Sequence, residues 1–392
     1  MPEVVETLRR LVSCPTVSDR PVIELAAFLA DRAEQQGMRV ERFQVAPGKV
    51  NVVASAGPPS AQGLVLSGHM DVVPTDGQSW SSDPFVLTER DGNLHGRGTC
   101  DMKGFIAAVD TALSAMDLRK LKRELVLVWT CDEEVGCVGA THLAGTLTEM
   151  GRELPRATVI GEPTGFRICR LHPGHCTFAV VVTGQAAHSS RPALGANAIV
   201  AAGEVLRALA ALADELSHQR AFEDELATPH AILTVGGIEG GTAVNIVPDR
   251  CEIRVGVRQL PGQDAADIEQ LLADRLAEVD AQIAPSGCRA ALRRIQVAPS
   301  LLTPKTCDHL HLLQPWAPDP RPTGAPFATD GGALAAIGLE SLVFGPGSID
   351  VAHRADEYVP AQDLFRTVDF VQDLVTRRCM SDAPAAGATA AR

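Results

Sequence analysis

The stretch Gly63-Leu64-Val65-Leu66-Ser67-Gly68-His69-Met70-Asp71 sets an apolar run directly ahead of a histidine and a carboxylate. An apolar run without alternation reads as a strand of a parallel sheet buried on both faces, and ligands of open α/β sheets gather outside the carboxyl ends of such strands. The pattern returns along the chain. Asp101, Glu133-Glu134, Glu162 and His353 lie within or just beyond segments of the same look, three of them after a Val/Leu/Ile-rich run. Two histidines and three or four carboxylates are therefore expected to converge. That inventory suits a pair of zinc ions better than other common cofactors.

Outward from this stretch, helix-like and strand-like segments alternate up to about residue 175, the signature of a mostly parallel sheet covered on both faces. Pro2 to Val12, Val22 to Gln36 (stopped by Gly37) and Lys103 to Met116 read as helices; Met38 to Val45, Val50 to Ser55, Leu64 to Ser67, Glu124 to Thr130 and Thr158 to Gly161 read as strands. Around Cys176 the texture changes. Strand Thr177 to Gly184, an Ala-rich helix Gly195 to Leu216, strands Ala231 to Val235 and Cys251 to Arg258, helix Ala265 to Ala281 and a strand Ala290 to Val297 follow the order βαββαβ, a two-layer unit in its own right. The expected fold class is α/β: a catalytic domain of residues 1–176 and 299–380, interrupted by a lid or dimerisation domain of residues 177–298. Glu340 to Phe344 and the helix Ala361 to Arg377 resume the first style, and the Ala-rich residues 381–392 are expected to be a disordered tail.

A chain of 392 residues exceeds the roughly 250 to 300 at which single cores stop growing, so two domains are the default. Net charge of -13 with acidic residues spread along the chain argues against nucleic acid or an anionic membrane as partner. The first residues carry no basic segment followed by an apolar one, and no apolar stretch approaches the ~20 residues that span a bilayer, which points to a soluble, cytoplasmic protein. Ten cysteines without a Cys-x-x-Cys pair, several in strand-like runs, read as buried reduced thiols. No Gly-x-Ser-x-Gly elbow is present, which disfavours a serine hydrolase.

Taken singly, each candidate has a plain reading. His69 and Asp71, at i and i+2 on a strand end, share a side, so the Asp71 carboxylate could hold the imidazole of a metal-bound His69, or the two could be a surface pair. Asp101 sits in His95-Gly96-Arg97-Gly98-Thr99-Cys100-Asp101, ahead of a helix, where a carboxylate can bridge two cations or serve as an N-cap. Glu133 and Glu134 leave a strand side by side and cannot both face one ion; one can ligate while the other hangs over the water as general base, unless the pair is a solvated acidic loop.

Together, and in this order, the motifs resemble the dinuclear zinc amidohydrolase family that contains acetylornithine deacetylase, succinyl-diaminopimelate desuccinylase and carboxypeptidase G. The likeness runs from Pro15-Thr16-Val17-Ser18 to Tyr358. It implies that His69, Asp101 and Glu162 bind one Zn2+ and Asp101, Glu134 and His353 the other, with Co2+ able to replace zinc, Glu133 as general base and Asp71 as partner of His69. Three carboxylates against two Zn2+ leave the site at about +1, so a bridging water can be held as hydroxide near neutral pH. The implied reaction is attack of that hydroxide on an amide carbonyl.

The resemblance also implies that His188, in Ala187-His188-Ser189-Ser190, reaches a neighbouring subunit's site and holds the developing oxyanion, which makes a homodimer through the inserted domain the expected assembly. Asn245 and Arg258 resemble substrate-contacting positions, the arginine suited to a carboxylate, with Arg254 competing for that part. Gly347 and Ser348 resemble a turn beside the substrate. Gly161-Glu162-Pro163-Thr164 and the segment from Leu194 to Ala198 look most like the acetylornithine deacetylase branch, so the implied substrate is an N-acyl-L-amino acid, such as N-acetylornithine, with a dipeptidase or carboxypeptidase activity, or succinyl-diaminopimelate desuccinylation, on the same metals as the alternative. A metal-binding scaffold without catalysis is the alternative of another kind, and intact Glu133 speaks against it. Ala328-Thr329-Asp330-Gly331-Gly332 departs from the branch by a shorter acidic residue. Asp330 is read either as a partner for a cationic substrate side chain or as a helix N-cap.

Overall fold

The computed structural model describes residues 3–381, so the tail expected beyond Ser381 lies outside the described residues. The chain divides into two compact units, one of the residues up to Leu171, Leu301–Ala325 and those from Thr329 on, the other of His172–Ser300 with Pro326–Ala328.

The first unit is built on a nine-stranded sheet running Arg39–Ala46, Lys49–Ala56, Leu125–Thr130, Leu64–His69, Ala157–Ile160, Glu340–Val343, Cys169–His172 and Leu301–Leu302, with Thr323–Gly324 beside Cys169–His172. Its centre is parallel: Leu64–His69 pairs with both Leu125–Thr130 and Ala157–Ile160, and Glu340–Val343 with Ala157–Ile160. Alternate residues of the apolar runs feed different cores. Leu64, Leu66 and Leu127 pack with Phe105, Ile106 and Val109 of the helix Lys103–Ser114, while Val65, Val126 and Val128 pack with Leu143 and Leu147 of the helix Val138–Glu149. Each such side chain, once fully buried, contributes roughly 1.5–3 kcal/mol. This is why the strands read as unbroken hydrophobic runs.

Two features depart from the expected alternation. Arg39–Ala46 and Lys49–Ala56 form an antiparallel hairpin, because the link between them is far shorter than the dozen residues a parallel crossover needs. The helix Val138–Glu149 is not among those the sequence predicts: its Gly139, Gly145 and three threonines lower its propensity, and Leu143 and Leu147 are its only large buried side chains. The helix Ala361–Val375 ends in a π-helical turn, Thr376–Met380, where a plain continuation to Arg377 was expected.

The second unit has an antiparallel sheet ordered Ile232–Gly240, Arg250–Arg258, His175–Thr183, Arg289–Ala298, with the helices Ala198–Ser217 and Ala265–Ile283. In chain order the strands lie 2-3-1-4, the arrangement a βαββαβ unit produces. Ala198, Ala201, Ala202, Val205, Leu209, Leu212 and Leu216 make the buried stripe of the first helix, at spacings of three and four residues. Asn197 caps that helix, accepting from the N–H groups of Ile199 and Val200 at 3.0 and 3.1 Å.

Candidate metal centre

The parallel register brings the ligand candidates of the first unit to one end of its sheet. His69 is level with Thr130 and Ser67 with Ile160, so the residues that leave these strands next, Glu133, Glu134 and Glu162, emerge at the same end. Gly161 permits the last of these exits: a Cβ there would meet Phe105 Cγ at 1.9 Å. His353 arrives from the loop after Glu340–Val343 in the left-handed region, φ 62°, a conformation a histidine holds only when its surroundings impose it.

Asp101 sits between the two histidines. Its Oδ1 lies 2.9 Å from His69 Nε2 and its Oδ2 3.1 Å from His353 Nε2. Glu134 completes the His353 side at 3.1 Å and Glu162 the His69 side at 3.6 Å. His69 is 1 %, Asp101 5 % and Glu162 3 % exposed, and Glu134 is partly buried, whereas the His353 side chain is 48 % exposed. The helix Lys103–Ser114 begins at Met102 without a side-chain cap, so Asp101 is not spent as an N-cap.

The electrostatics of this cluster call for cations. Burial would raise the Asp101 carboxyl, but hydrogen bonds from His353 and His69 hold it well below the usual range. For the other acids the histidines do not outweigh burial. Burial and the Asp101 charge push Glu134 up to about 7 and Glu162 well above its ordinary value, and burial does the same to Glu133. His353 is raised to about 10 by Asp101 and Glu134; burial opposes the charge of His69, yet Asp101 and Glu162 raise it well above normal. Four acids and two imidazoles set this close together, most of them screened from water, are stable as anions and neutral rings only against added positive charge, and nitrogen with carboxylate oxygen is a donor set that zinc accepts. The residues present fit two divalent ions, with Asp101 placed to bridge them.

Glu133 stands beside these ligands, its Oε1 accepting from Cys137 Sγ at 3.5 Å. Asp71 behaves differently from the expectation. His69 Nδ1 meets the Asp71 carbonyl oxygen at 3.0 Å, while the Asp71 carboxylate is 3.8 Å away. That carboxylate instead accepts from the N–H groups of Glu133 and Glu134 at 3.0 and 3.2 Å and from the Ser18 hydroxyl at 2.9 Å. It therefore positions the backbone of Glu133 and Glu134, because the strand end turns its side chain toward the neighbouring loop.

A sequence model of Peptidase family M20/M25/M40 matches residues 65–377. The chain belongs to the M20 peptidase family. It is a metal-dependent hydrolase. A tripeptidase from Staphylococcus aureus subsp. aureus Mu50 shares the fold with a TM-score of 0.75 at 18% identity, covering 96% of this chain and 97% of that one. An M20 family metallo-carboxypeptidase from Sulfolobus solfataricus does so at 0.75 and 18%, covering 96% and 99%. A dinuclear metal-binding M20 peptidase from Bacillus subtilis gives 0.66 and 16%, covering 95% and 97%.

Glu357 and Lys49 also shape the site of this M20 enzyme, although the sequence gives neither a role of its own. Glu357, 1 % exposed, accepts from the N–H groups of Gly98, Cys100 and Asp101 at 3.1, 2.9 and 3.0 Å and from Arg97 Nη1 at 2.6 Å, clamping the loop that presents Asp101. Lys49 binds Asp132 at 2.5 Å, taking that carboxylate out of the Asp132-Glu133-Glu134 run. Asp330 is 2 % exposed, accepts from the Thr130 hydroxyl, and groups with Glu133 and Cys137. Burial raises its carboxyl to about 6. It makes no side-chain cap to the helix Gly331–Ala335, and a place so removed from solvent is not the open carboxylate expected to greet a cationic substrate side chain. Gly347, φ 76°, accepts from Gly165 N–H at 2.7 Å through its carbonyl, and Ser348 accepts from Cys100 Sγ at 3.4 Å, so this turn lies against the loop of Asp101.

The second unit holds the remaining candidates. His188 is exposed on the short strand Ala187–His188, which pairs with Ile246–Val247. The Ser190 N–H donates to its Nδ1 at 3.1 Å, which leaves the ring proton on Nε2 as an outward donor. Asn245 is exposed and fixes the same loop through its carbonyl, which accepts from Ser189 N–H at 2.9 Å. Arg258 is half-buried and near enough to His172 and His175 to add to the lowering that burial imposes on both rings. Arg254 is exposed and faces Glu239 at 3.6 Å, which makes Arg258 the less committed cation of the two.

Proposed function

We propose that this M20 enzyme is a zinc-dependent amide hydrolase that removes the acyl group, foremost acetyl, from an N-acyl-L-amino acid. The observation that carries the reading is the Asp101 carboxylate directed at both histidines with Glu133 alongside. Two Zn2+, or Co2+ in their place, would be held by His69, Asp101 and Glu162 and by Asp101, Glu134 and His353, and would supply Lewis acidity toward the carbonyl and toward water. Glu133 accepts a proton from the attacking water and returns it to the leaving nitrogen as the C–N bond breaks, releasing a carboxylic acid and an amine. In a homodimer the Nε2–H of His188 would reach the metal centre of the neighbouring copy and donate to the carbonyl oxygen there as it gains charge. Arg258 takes the substrate carboxylate in a bidentate contact.

A homodimer through the inserted unit fits its surface. Ile232, Val235 and Ile238 stand exposed on the outer strand of its sheet, Val244 is exposed just after that strand, and Leu194 and Val200 are exposed elsewhere in the unit. Such an edge and apolar exposure are what a second copy covers.

The substrate is tested with N-acetylornithine, N-acetylcitrulline, N-acetylmethionine, N-succinyl-diaminopimelate and a dipeptide. An N-acetyl amino acid is expected to be turned over best, with the ornithine compound first because the Gly161–Thr164 and Leu194–Ala198 segments resemble that branch. The likeness to a tripeptidase and a metallo-carboxypeptidase favours the second reading, a dipeptidase or carboxypeptidase, and a dipeptide hydrolysed tenfold better than any N-acetyl compound would establish it instead. No turnover of any compound by the zinc-loaded protein would leave the metal-binding scaffold as the better account.

A further inference from the structure

A second cluster of ligating side chains lies in the first unit, away from the centre described above. Asp308, His309 and Glu340 each offer one donor atom, and the three atoms lie within 4.8 Å of one another. Glu340 opens the strand Glu340–Val343 and is level with Ala157 at the start of its parallel neighbour. The ligands of the metal centre follow the carboxyl ends of these strands, so the cluster occupies the opposite edge of the same sheet.

His309 is the informative member. It is 0 % exposed, and neither Nδ1 nor Nε2 has a hydrogen-bond partner. A neutral imidazole carries one N–H and one lone pair, and proteins rarely leave such groups unmet in the interior. Its Nδ1 lies 3.6 Å from Asp308 Oδ1. That is too long for a hydrogen bond, yet close to the roughly 3.4 Å that separates two ligands on a tetrahedral ion with bonds of about 2.1 Å.

The surroundings resemble a supported ligand set. Arg378 Nη2 holds the other oxygen of Asp308 at 3.1 Å, and Arg156 Nη2 holds Glu340 Oε1 at 2.5 Å. Each carboxylate is thereby oriented by an outer partner, as metal-ligating carboxylates commonly are. The arginines also balance the two acidic charges, so a divalent ion here is bound by donor geometry more than by net charge. One nitrogen and two carboxylate oxygens suit zinc, with water in the fourth position.

We propose that Asp308, His309 and Glu340 form a separate Zn2+ site, which ties the segment around His309 to the start of the strand Glu340–Val343 and takes no part in catalysis. The test compares the full-length protein with Glu340→Gln and His309→Gln after equilibration with Zn2+ and dialysis, counting zinc per chain by elemental analysis and recording turnover. Each variant is expected to hold one Zn2+ fewer than the wild type at unchanged turnover, and to lose part of the rise in melting temperature that added Zn2+ gives the wild type. Glu340 is partly exposed, side chain 19 %, so Glu340→Gln decides the matter if the buried His309→Gln does not fold. Equal zinc per chain in the wild type and folded Glu340→Gln would overturn the proposal, and so would a loss of zinc accompanied by a loss of turnover.

Discussion

In the nine-stranded sheet, Leu64–His69 and Leu125–Thr130 are buried at every position, whereas Arg250–Arg258 of the four-stranded sheet alternates buried residues with half-buried or exposed ones. The candidate residues of the two units differ in the same way. His69, Asp101 and Glu162 are removed from water, while His188 and Asn245 are open to it. A buried sheet covered on both faces holds its strand ends rigid, which suits ligands that must keep fixed separations, but it makes every uncompensated charge costly. An open sheet lets recognition residues be exchanged with little damage to the fold.

The contrast can be broken by mutation. Glu133→Gln is expected to lower kcat by about 10²- to 10⁴-fold, the range for losing a general base, with bound metal unchanged; near-normal turnover would remove Glu133 from its role. His188→Ala should cost about 10²- to 10³-fold in kcat with an unaltered melting temperature, as for loss of one oxyanion donor. A fall in stability of that variant would mean that exposed positions in the second unit are structural after all. Arg258→Ala is expected to raise KM and lower kcat/KM by roughly 10- to 100-fold, since a charge-assisted contact of about 1.5–3 kcal/mol is lost; an effect on kcat alone would contradict carboxylate capture.

Metal removal sharpens the comparison on the buried side. In EDTA-treated protein the His353 pKa, about 10 against an ordinary 6.5, stabilises the fold fully below 6.5, and this contribution disappears as pH rises toward 10. Glu134, at about 7 against 4.5, acts with the same sign between those values, because the fold favours its neutral form. Ligation, in contrast, requires neutral imidazole and ionised carboxylate. The melting temperature of the stripped protein should therefore fall with rising pH, while that of the zinc-loaded protein should not. Parallel pH profiles for the two forms would show that the cluster is not where the metal acts. The smallest effect is expected from Asn197→Ala, about 1 kcal/mol of stability through the lost helix cap, with kinetics unchanged.

The ligand candidates were legible because each follows an apolar run or a glycine-rich turn, and the parallel register then carries the run ends to one place. The βαββαβ order was legible from periodicity for the same local reason. Glu357 was not, since its partners Gly98, Cys100 and Asp101 are some 260 residues away in the chain. Asp71 was assigned to the imidazole of His69 because i and i+2 neighbours share a side of a strand, and the structure gave its carboxylate to two N–H groups of a loop that sequence spacing cannot locate. His309 is of the same kind, ordinary in sequence and unusual only through what is buried against it, whereas Asp330 is a candidate in sequence whose burial only packing decides.

Residue order alone determined the alternation of buried strands and covering helices, the break near Cys176 and the candidates for metal binding, because these depend on periodicity and chemical type within a few neighbours. Tertiary structure decided which atoms meet: the two oxygens of Asp101 on two histidines, Glu357 on its loop, His309 without a partner beside two carboxylates. Those outcomes depend on distances between strand ends brought together only by packing.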